Sequence, residues 1–327
     1  MLFKMMFTLL LMMSSMLVIS SSSWFMMWLG LEINLLSIIP IISYSKNQLS
    51  SESAMKYFIT QALASTMILF SICSFLINFN WMNSMLWTAL LLKLGMAPFH
   101  FWFPEVIEGL SWINSLIMLT WQKIAPMVII SYNIKLNFFF LITIIMSLII
   151  SGILGINQNS LRKILVYSSI NHMSWMITSM ILSKTIWSYY FIIYSVITVN
   201  IILMFNEMKI FYLHQLFSSL NNLILMKIFF SLNLLSLGGL PPFLGFMPKW
   251  LIIENMISHN FTLLSLALII FTLITLYFYM RMLFSIFMIN LNEMNSMKSS
   301  LNLNKIISFN LITISSFLFY SFNYLNF

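Results

Sequence analysis

LLKLGMAPFHFWFP at 91–104 and LSLGGLPPFLGFMP at 235–248 share one pattern: Leu-Gly, a proline three positions after the glycine, then Phe and a further proline, with one proline inserted in the later copy. Each stretch lies inside a long apolar run that otherwise reads as a helix. Glycine and proline interrupt a helix, and an interrupted helix is tolerated inside a bilayer only where it lines protein or water. Paired interruptions in corresponding halves of a chain point to a transport route in membrane carriers.

The surrounding sequence is almost all membrane. Of 327 residues, 61% are apolar and 7% charged, whereas a soluble domain carries about a quarter charged residues. A membrane span takes about 20 residues. Apolar runs place spans at 2–20, 24–44, 54–77, 84–103, 111–132, 136–156, 161–182, 185–205, 227–252, 261–287 and 306–325. The expected fold is therefore an all-α polytopic membrane protein of about eleven transmembrane helices, the fourth and ninth broken. Those two lie an odd number of helices apart and run in opposite directions, as in two inverted five-helix repeats. Residues 1–135 form the first repeat, 136–289 the second, and 290–327 a polar linker with a final helix. The stretch 206–223 is too polar to span and reads as an interfacial connecting helix.

With alternating direction, Lys4, Lys46, Lys56, Arg162, Lys163, Lys209, Lys227, Arg281, Lys298 and Lys305 collect on one side, and only Lys135 and Lys184 on the other. That bias sets the N-terminus on the cytoplasm-like face, which in a mitochondrion is the matrix. The first run resembles a signal peptide, but another apolar run follows at Trp24 without a small-residue cleavage pattern, so it reads as a retained helix.

Composition also excludes chemistries. All seven acidic residues are Glu, so Asp-dependent nucleotide or calcium chemistry is absent. The single cysteine, Cys73, cannot hold an iron-sulfur cluster or a Cys-bound zinc, and four histidines in four separate regions do not make a haem site. No cofactor and no metal is expected in this chain. The basic residues are scattered singly, without the stripe that follows a nucleic acid. There is no G-x-G-x-x-G and no P-loop.

Three charges lie far from span ends: Glu32, Lys93 and Lys123. Each costs at least about 2.5–3.5 kcal/mol at the bilayer centre, so each is expected to be paired, hydrated or functional. By helix rise, Glu32 lies about 12 Å and Lys93 about 14 Å from the sparsely charged face, while Lys123 lies about 18 Å and His172 about 17 Å from the positive face. In a hydrocarbon core about 30 Å thick these are nearly one depth, so the four groups can form a row across the membrane. Desolvation disfavours a charged lysine and a nearby carboxylate favours it, so moving Glu32 relative to Lys93 would make the lysine take up or release a proton. Histidine titrates near neutrality and could join the relay. The competing readings are a structural ion pair for Glu32 and Lys93, snorkelling for Lys123, and hydrogen-bonded helix histidines for His100 and His172. Lys249 follows Pro241, Pro242 and Pro248, where the ruler fails, and its depth stays open. Glu105 and Glu108 read as interfacial, and Arg162 and Lys163 as anchors of the seventh span.

Six strings carry a resemblance: WLGLEINLLSIIP at 28–40, KYFITQALAS at 56–65, LLKLGMAPFHFWFPEVIEGL at 91–110, LTWQKIAP at 119–126, LRKILVYSSINHMSWM at 161–176 and LSLGGLPPFLGFMPKW at 235–250. Together they resemble the antiporter-like, proton-pumping membrane-arm subunits of respiratory complex I, over about residues 24–282. Seven alanines and two arginines amid abundant Met, Ile, Phe and Asn look like an AT-rich invertebrate mitochondrial genome. The resemblance implies two inverted five-helix repeats, in a form shortened by three N-terminal helices. It implies that the buried carboxylate is Glu32, its paired lysine Lys93, the connecting lysine Lys123 and the exit-side lysine Lys249, with His100 and His172 in a central hydrophilic axis. At 154–159 LGINQN stands where the family more often has paired glycines.

The expectation is a multi-pass subunit of the mitochondrial inner membrane, N-terminus in the matrix and C-terminus in the intermembrane space. It would relay protons while NAD, FMN, iron-sulfur clusters and ubiquinone sit in partner subunits. Its neighbours would be other membrane-arm subunits and membrane lipids, cardiolipin among them, with no nucleic acid. The rivals are a free-standing cation/proton antiporter and a purely structural assembly subunit.

Overall fold

The computed structural model describes residues 2–44, 47–75, 82–134, 137–220 and 224–288. The expected final span at 306–325 and its linker lie outside the described residues. Among the described residues there is no β-strand. The helices are α1 (Leu2–Ser20), α2 (Trp24–Ser43), α3 (Gln48–Phe75), α4 (Met82–Leu94), α5 (Trp102–Gly109), α6 (Trp112–Leu119), α7 (Trp121–Asn133), α8 (Phe138–Ile156), α9 (Leu161–Leu182), α10 (Lys184–Met208), α11 (Leu213–Leu220), α12 (Ile224–Gly238), α13 (Phe246–Ser258) and α14 (Thr262–Met288).

Among the described residues, seven helical stretches are long and apolar enough to cross a membrane: α1, α2, α3, α6 with α7, α8, α10 and α14. Leu263 and Met288 of α14 and Leu2 of α1 stand more than three-quarters exposed, as side chains facing lipid do. Hydroxyls survive in these helices because each can donate to a carbonyl of the preceding turn. In α9, Ser168, Ser169, Ser174, Thr178 and Ser179 all do so, at 2.6–2.8 Å. Serines also start helices: the Ser23 and Ser183 hydroxyls accept from the Met26 and Ile186 amides at 3.4 Å, capping α2 and α10.

The chain divides into two compact units, residues 1–147 and 148–327. Each contains a helix that stops at a glycine and restarts. In the first, α4 ends at Leu94, Gly95 turns into the left-handed region at φ 69°, and the chain resumes in α5. The Gly95 amide donates to Leu92 O and the Met96 amide to Leu91 O, both at 3.1 Å. In the second, α12 ends at Gly238 and Gly239 takes φ 76°. Its amide donates to Ser236 O at 3.1 Å, and the Leu240 amide to Leu235 O at 3.3 Å. Both ends are Schellman caps, in which a left-handed glycine lets two following amides meet carbonyls of the last turn.

These caps correct the register of the internal similarity. The cap glycine of the second copy is Gly239, not Gly238, so Gly95 pairs with Gly239, Pro98 with Pro242, Phe99 with Phe243 and Pro104 with Pro248, and no proline is inserted. The peptide bonds preceding Pro98 and Pro242 are both cis. Sequence identity favours the Leu-Gly match, but the backbone needs glycine at the residue after the helix end. A third interruption, unforeseen from the sequence, separates α6 from α7 at Thr120, three residues before Lys123.

Candidate functional site

In the first unit, six helices, α2 to α7, line a small cavity of about 20 Å³, enough for one water molecule. Lys93 reaches it from the last turn of α4, where the negative end of the helix dipole favours a cation. Lys123 reaches it from α7, Asn34 from α2, Tyr57 and Gln61 from α3, and Gln122 from α7. Lys93 and Lys123 are 8% and 2% exposed. The Lys123 ammonium also lies 5.3 Å from the centre of the Phe103 ring, a cation–π contact.

Neutral amides hold this site together. Gln122 Nε2 donates to Asn34 Oδ1 at 2.8 Å, and the Tyr57 hydroxyl makes a long contact of 3.5 Å to Gln122 Oε1. Gln61 Nε2 reaches the Lys93 carbonyl at 3.4 Å, and Trp102 Nε1 donates to the Leu92 carbonyl at 3.1 Å. One amide, Gln122, thus ties the helix that carries Glu32 to the helix that carries Lys123. Glu32 is half-buried in α2 and makes no direct ion pair with Lys93. Glu105 is interfacial in character: it is exposed and, with Glu52, pairs with Lys56 at 2.8 and 2.9 Å.

His100 lies in the break between α4 and α5, 1% exposed, its ring tilted against that of Phe101 with the centres 4.3 Å apart. It does not line the cavity that Lys93 and Lys123 share.

In the second unit the lysine comes from the far side of the break. Lys249 sits in α13, yet its Nζ donates to Gly238 O at 2.8 Å and approaches Leu237 O at 3.5 Å, back at the end of α12. An unbroken helix would carry residue 249 about 16 Å past Gly238, which is why depth arithmetic fails there. The ammonium also lies 5.8 Å from the Trp175 ring centre. Trp175 and His172 are three residues apart in α9 and share one face of it. His172 Nδ1 is hydrogen-bonded to the Tyr190 hydroxyl at 2.8 Å, and its ring lies 5.1 Å from that of Tyr194. A second small cavity, about 10 Å³, runs from His172, Tyr190 and Tyr194 to Ser236, Leu237 and Pro248 beside the break.

The charged residues were found from sequence because charge in an apolar run is conspicuous. Asn34, Gln61 and Gln122 were passed over, although each is a large neutral polar residue inside a span. Tyr190 and Tyr194 were indistinguishable from ordinary interfacial aromatics.

Comparison with known proteins gives this geometry its context. The family model described as NADH:quinone oxidoreductase/Mrp antiporter, transmembrane, matches residues 21–84 and 75–275. The NADH-ubiquinone oxidoreductase chain 2 of Anopheles gambiae is 49% identical over 93% of this chain and 92% of its own length. Among solved structures, respiratory complex I from Thermus thermophilus contains a chain with TM-score 0.87 at 20% identity, covering 97% of this chain and 78% of that one. The Mrp complex from Dietzia sp. contains another, with TM-score 0.75 at 14% identity over 86% of this chain and 60% of that one. By sequence and by fold, this chain belongs to the NADH:quinone oxidoreductase/Mrp antiporter membrane family, among the relatives named NADH-ubiquinone oxidoreductase chain 2.

Proposed function

We propose that the chain is a proton-translocating membrane subunit of respiratory complex I, set in the mitochondrial inner membrane among other membrane-arm subunits and lipids such as cardiolipin. The observation that carries this reading is the pair Lys93 and Lys123 lining one cavity in a chain of this family. A water there could accept a hydrogen bond from one ammonium and pass a proton toward the other. Glu32 rides on the helix that Gln122 ties to α7, and its charge biases the outcome. His172 and Lys249 continue the relay in the second unit, with His100 beside the first break. The matching caps after α4 and α12 support two inverted five-helix repeats within eleven spans, N-terminus in the matrix and C-terminus in the intermembrane space. The chain supplies no redox centre. NAD, FMN, iron-sulfur clusters and ubiquinone belong to partner subunits, whose chemistry drives the relay.

The test has two stages. A native gel of mildly solubilised inner membrane, stained for NADH oxidation, should carry this chain's peptides in the large stained band. Peptides confined to a small unstained band would favour a free-standing antiporter. Within the assembled complex, Lys93→Met and Lys123→Met should each lower the number of protons moved per electron. An unchanged ratio in fully assembled Lys93→Met complex would leave the buried charges a purely structural role.

A further inference from the structure

The last four carbonyls of a helix have no partner within it and must be met from outside. At the end of α12 all four are met: the Gly239 and Leu240 amides take Ser236 O and Leu235 O, and Lys249 Nζ reaches Gly238 O and Leu237 O. At the end of α4 the donors besides the two cap amides are neutral, Gln61 Nε2 and Trp102 Nε1. The negative end of α12 therefore faces a tethered cation. Lys249 is 6% exposed, and among the described residues no carboxylate lies within ion-pair distance of it.

Gly239 makes this approach possible in two ways. Its φ of 76° is one that L side chains rarely adopt, and a Cβ added there would lie 2.7 Å from both Cδ and Nζ of Lys249 and 2.9 Å from Cε. A side chain there would push the end of the lysine away from the turn.

We propose that Gly239 is the positioning residue for Lys249, and that the Leu237 and Gly238 carbonyls act as the lysine's counter-charge where a carboxylate would otherwise be needed. The proposal rests on the reading of Lys249 as a proton-carrying group. An ammonium gains from the helix end by charge as well as by hydrogen bonds, whereas a neutral amine keeps only weaker hydrogen bonds. The protonation of Lys249 is thereby linked to the set of the turn at 239–245. Carbonyls turned toward the lysine hold its proton, and carbonyls turned away release it.

The experiment compares four variants in assembled complex, reading protons moved per electron alongside NADH oxidation: Lys249→Ala, Gly239→Ala, Gly239→Asn and Gly239→Ala with Lys249→Ala. Asparagine tolerates a positive φ, so Gly239→Asn keeps the turn and tests the close approach. The expected result is that both Gly239 variants fall to the pumping level of Lys249→Ala and that the double variant falls no further. If Lys249→Ala lowers pumping while both glycine variants retain it, this inference fails and the reading of Lys249 stands. If Lys249→Ala itself pumps normally, that reading fails and the inference falls with it. Should Gly239→Ala prevent assembly, the double variant decides: recovery of assembly supports the close approach, and no recovery means that the glycine serves the turn alone.

Discussion

At the end of α4 the capping donors are neutral and the lysine of that turn opens onto a cavity it shares with Lys123, whereas at the end of α12 the capping donor is itself a lysine, locked against backbone. The two units thus solve the same geometric problem with opposite use of charge. In the first, there is volume for a water beside both lysines. In the second, the lysine is hydrogen-bonded to carbonyls and passes close to the bare Gly239 backbone. Under the proposed relay, the first site would exchange a proton through water and the second only when the turn shifts.

The largest effect should come from backbone contact in the second break. A Cβ on Gly245 would overlap the Ser236 carbonyl oxygen, which cannot swing aside as a side chain can. Overpacking typically costs about 1–3 kcal/mol and more where backbone must move, so Gly245→Ala should remove most of the NADH-oxidising band from a native gel. A band of full strength would show the second break to be looser than its contacts indicate.

Next come the arginine exchanges, which preserve charge and add bulk. Lys249→Arg must fit a guanidinium into the space beside Gly239, with an expected penalty of about 1–3 kcal/mol in thermal stability of the complex. Lys93→Arg borders a cavity and should lose less. Equal melting temperatures for the two would erase the proposed difference between the units. Both should lose pumping, because arginine does not give up its proton.

Gln122→Leu tests the amide tie between α2 and α7. It leaves Asn34 Oδ1 buried without its donor, at a cost of about 1–3 kcal/mol. The sharper expectation is a lower proton-to-electron ratio at a nearly normal NADH oxidation rate, since Glu32 and Lys123 ride on the two helices it joins. A normal ratio would confine the amide to packing.

The smallest effect belongs to Lys56→Met. Lys56 and its partners Glu52 and Glu105 are well exposed, and exposed pairs contribute little to stability. Assembly and pumping should stay within error of the native complex, and a clear fall in pumping would bring the exposed end of α3 into the proton path.

Sequence showed much of this because charge is expensive in lipid and stands out against apolar neighbours. Counting residues along helices puts Lys93 and Lys123 near one depth, and in the folded chain the two line one cavity, although the Lys123 span is interrupted at Thr120. Lys249 defeated the same count because its helix stops at Gly238 and the chain folds back on the helix end. The cap register was misread by one residue, since matching letters favoured Gly238 whereas backbone conformation requires glycine at 239. The amides escaped notice for a different reason. Asn34, Gln61 and Gln122 carry no charge, and what they do depends on which carbonyl or amide stands opposite, which only the folded chain decides.

Of the 22 residues of α9, 18 are buried, among them a run of serines, an asparagine and His172, and the helix is not one of the seven stretches apolar enough to cross a membrane unaided. During synthesis it would be a poor candidate to leave the translocation machinery alone for lipid. Its neighbours in sequence, α8 and α10, are far more apolar, and α9 packs on α10. Inserting α9 and α10 together as a hairpin would therefore cost less than inserting α9 alone, because α10 covers part of the polar surface that α9 would otherwise show to lipid.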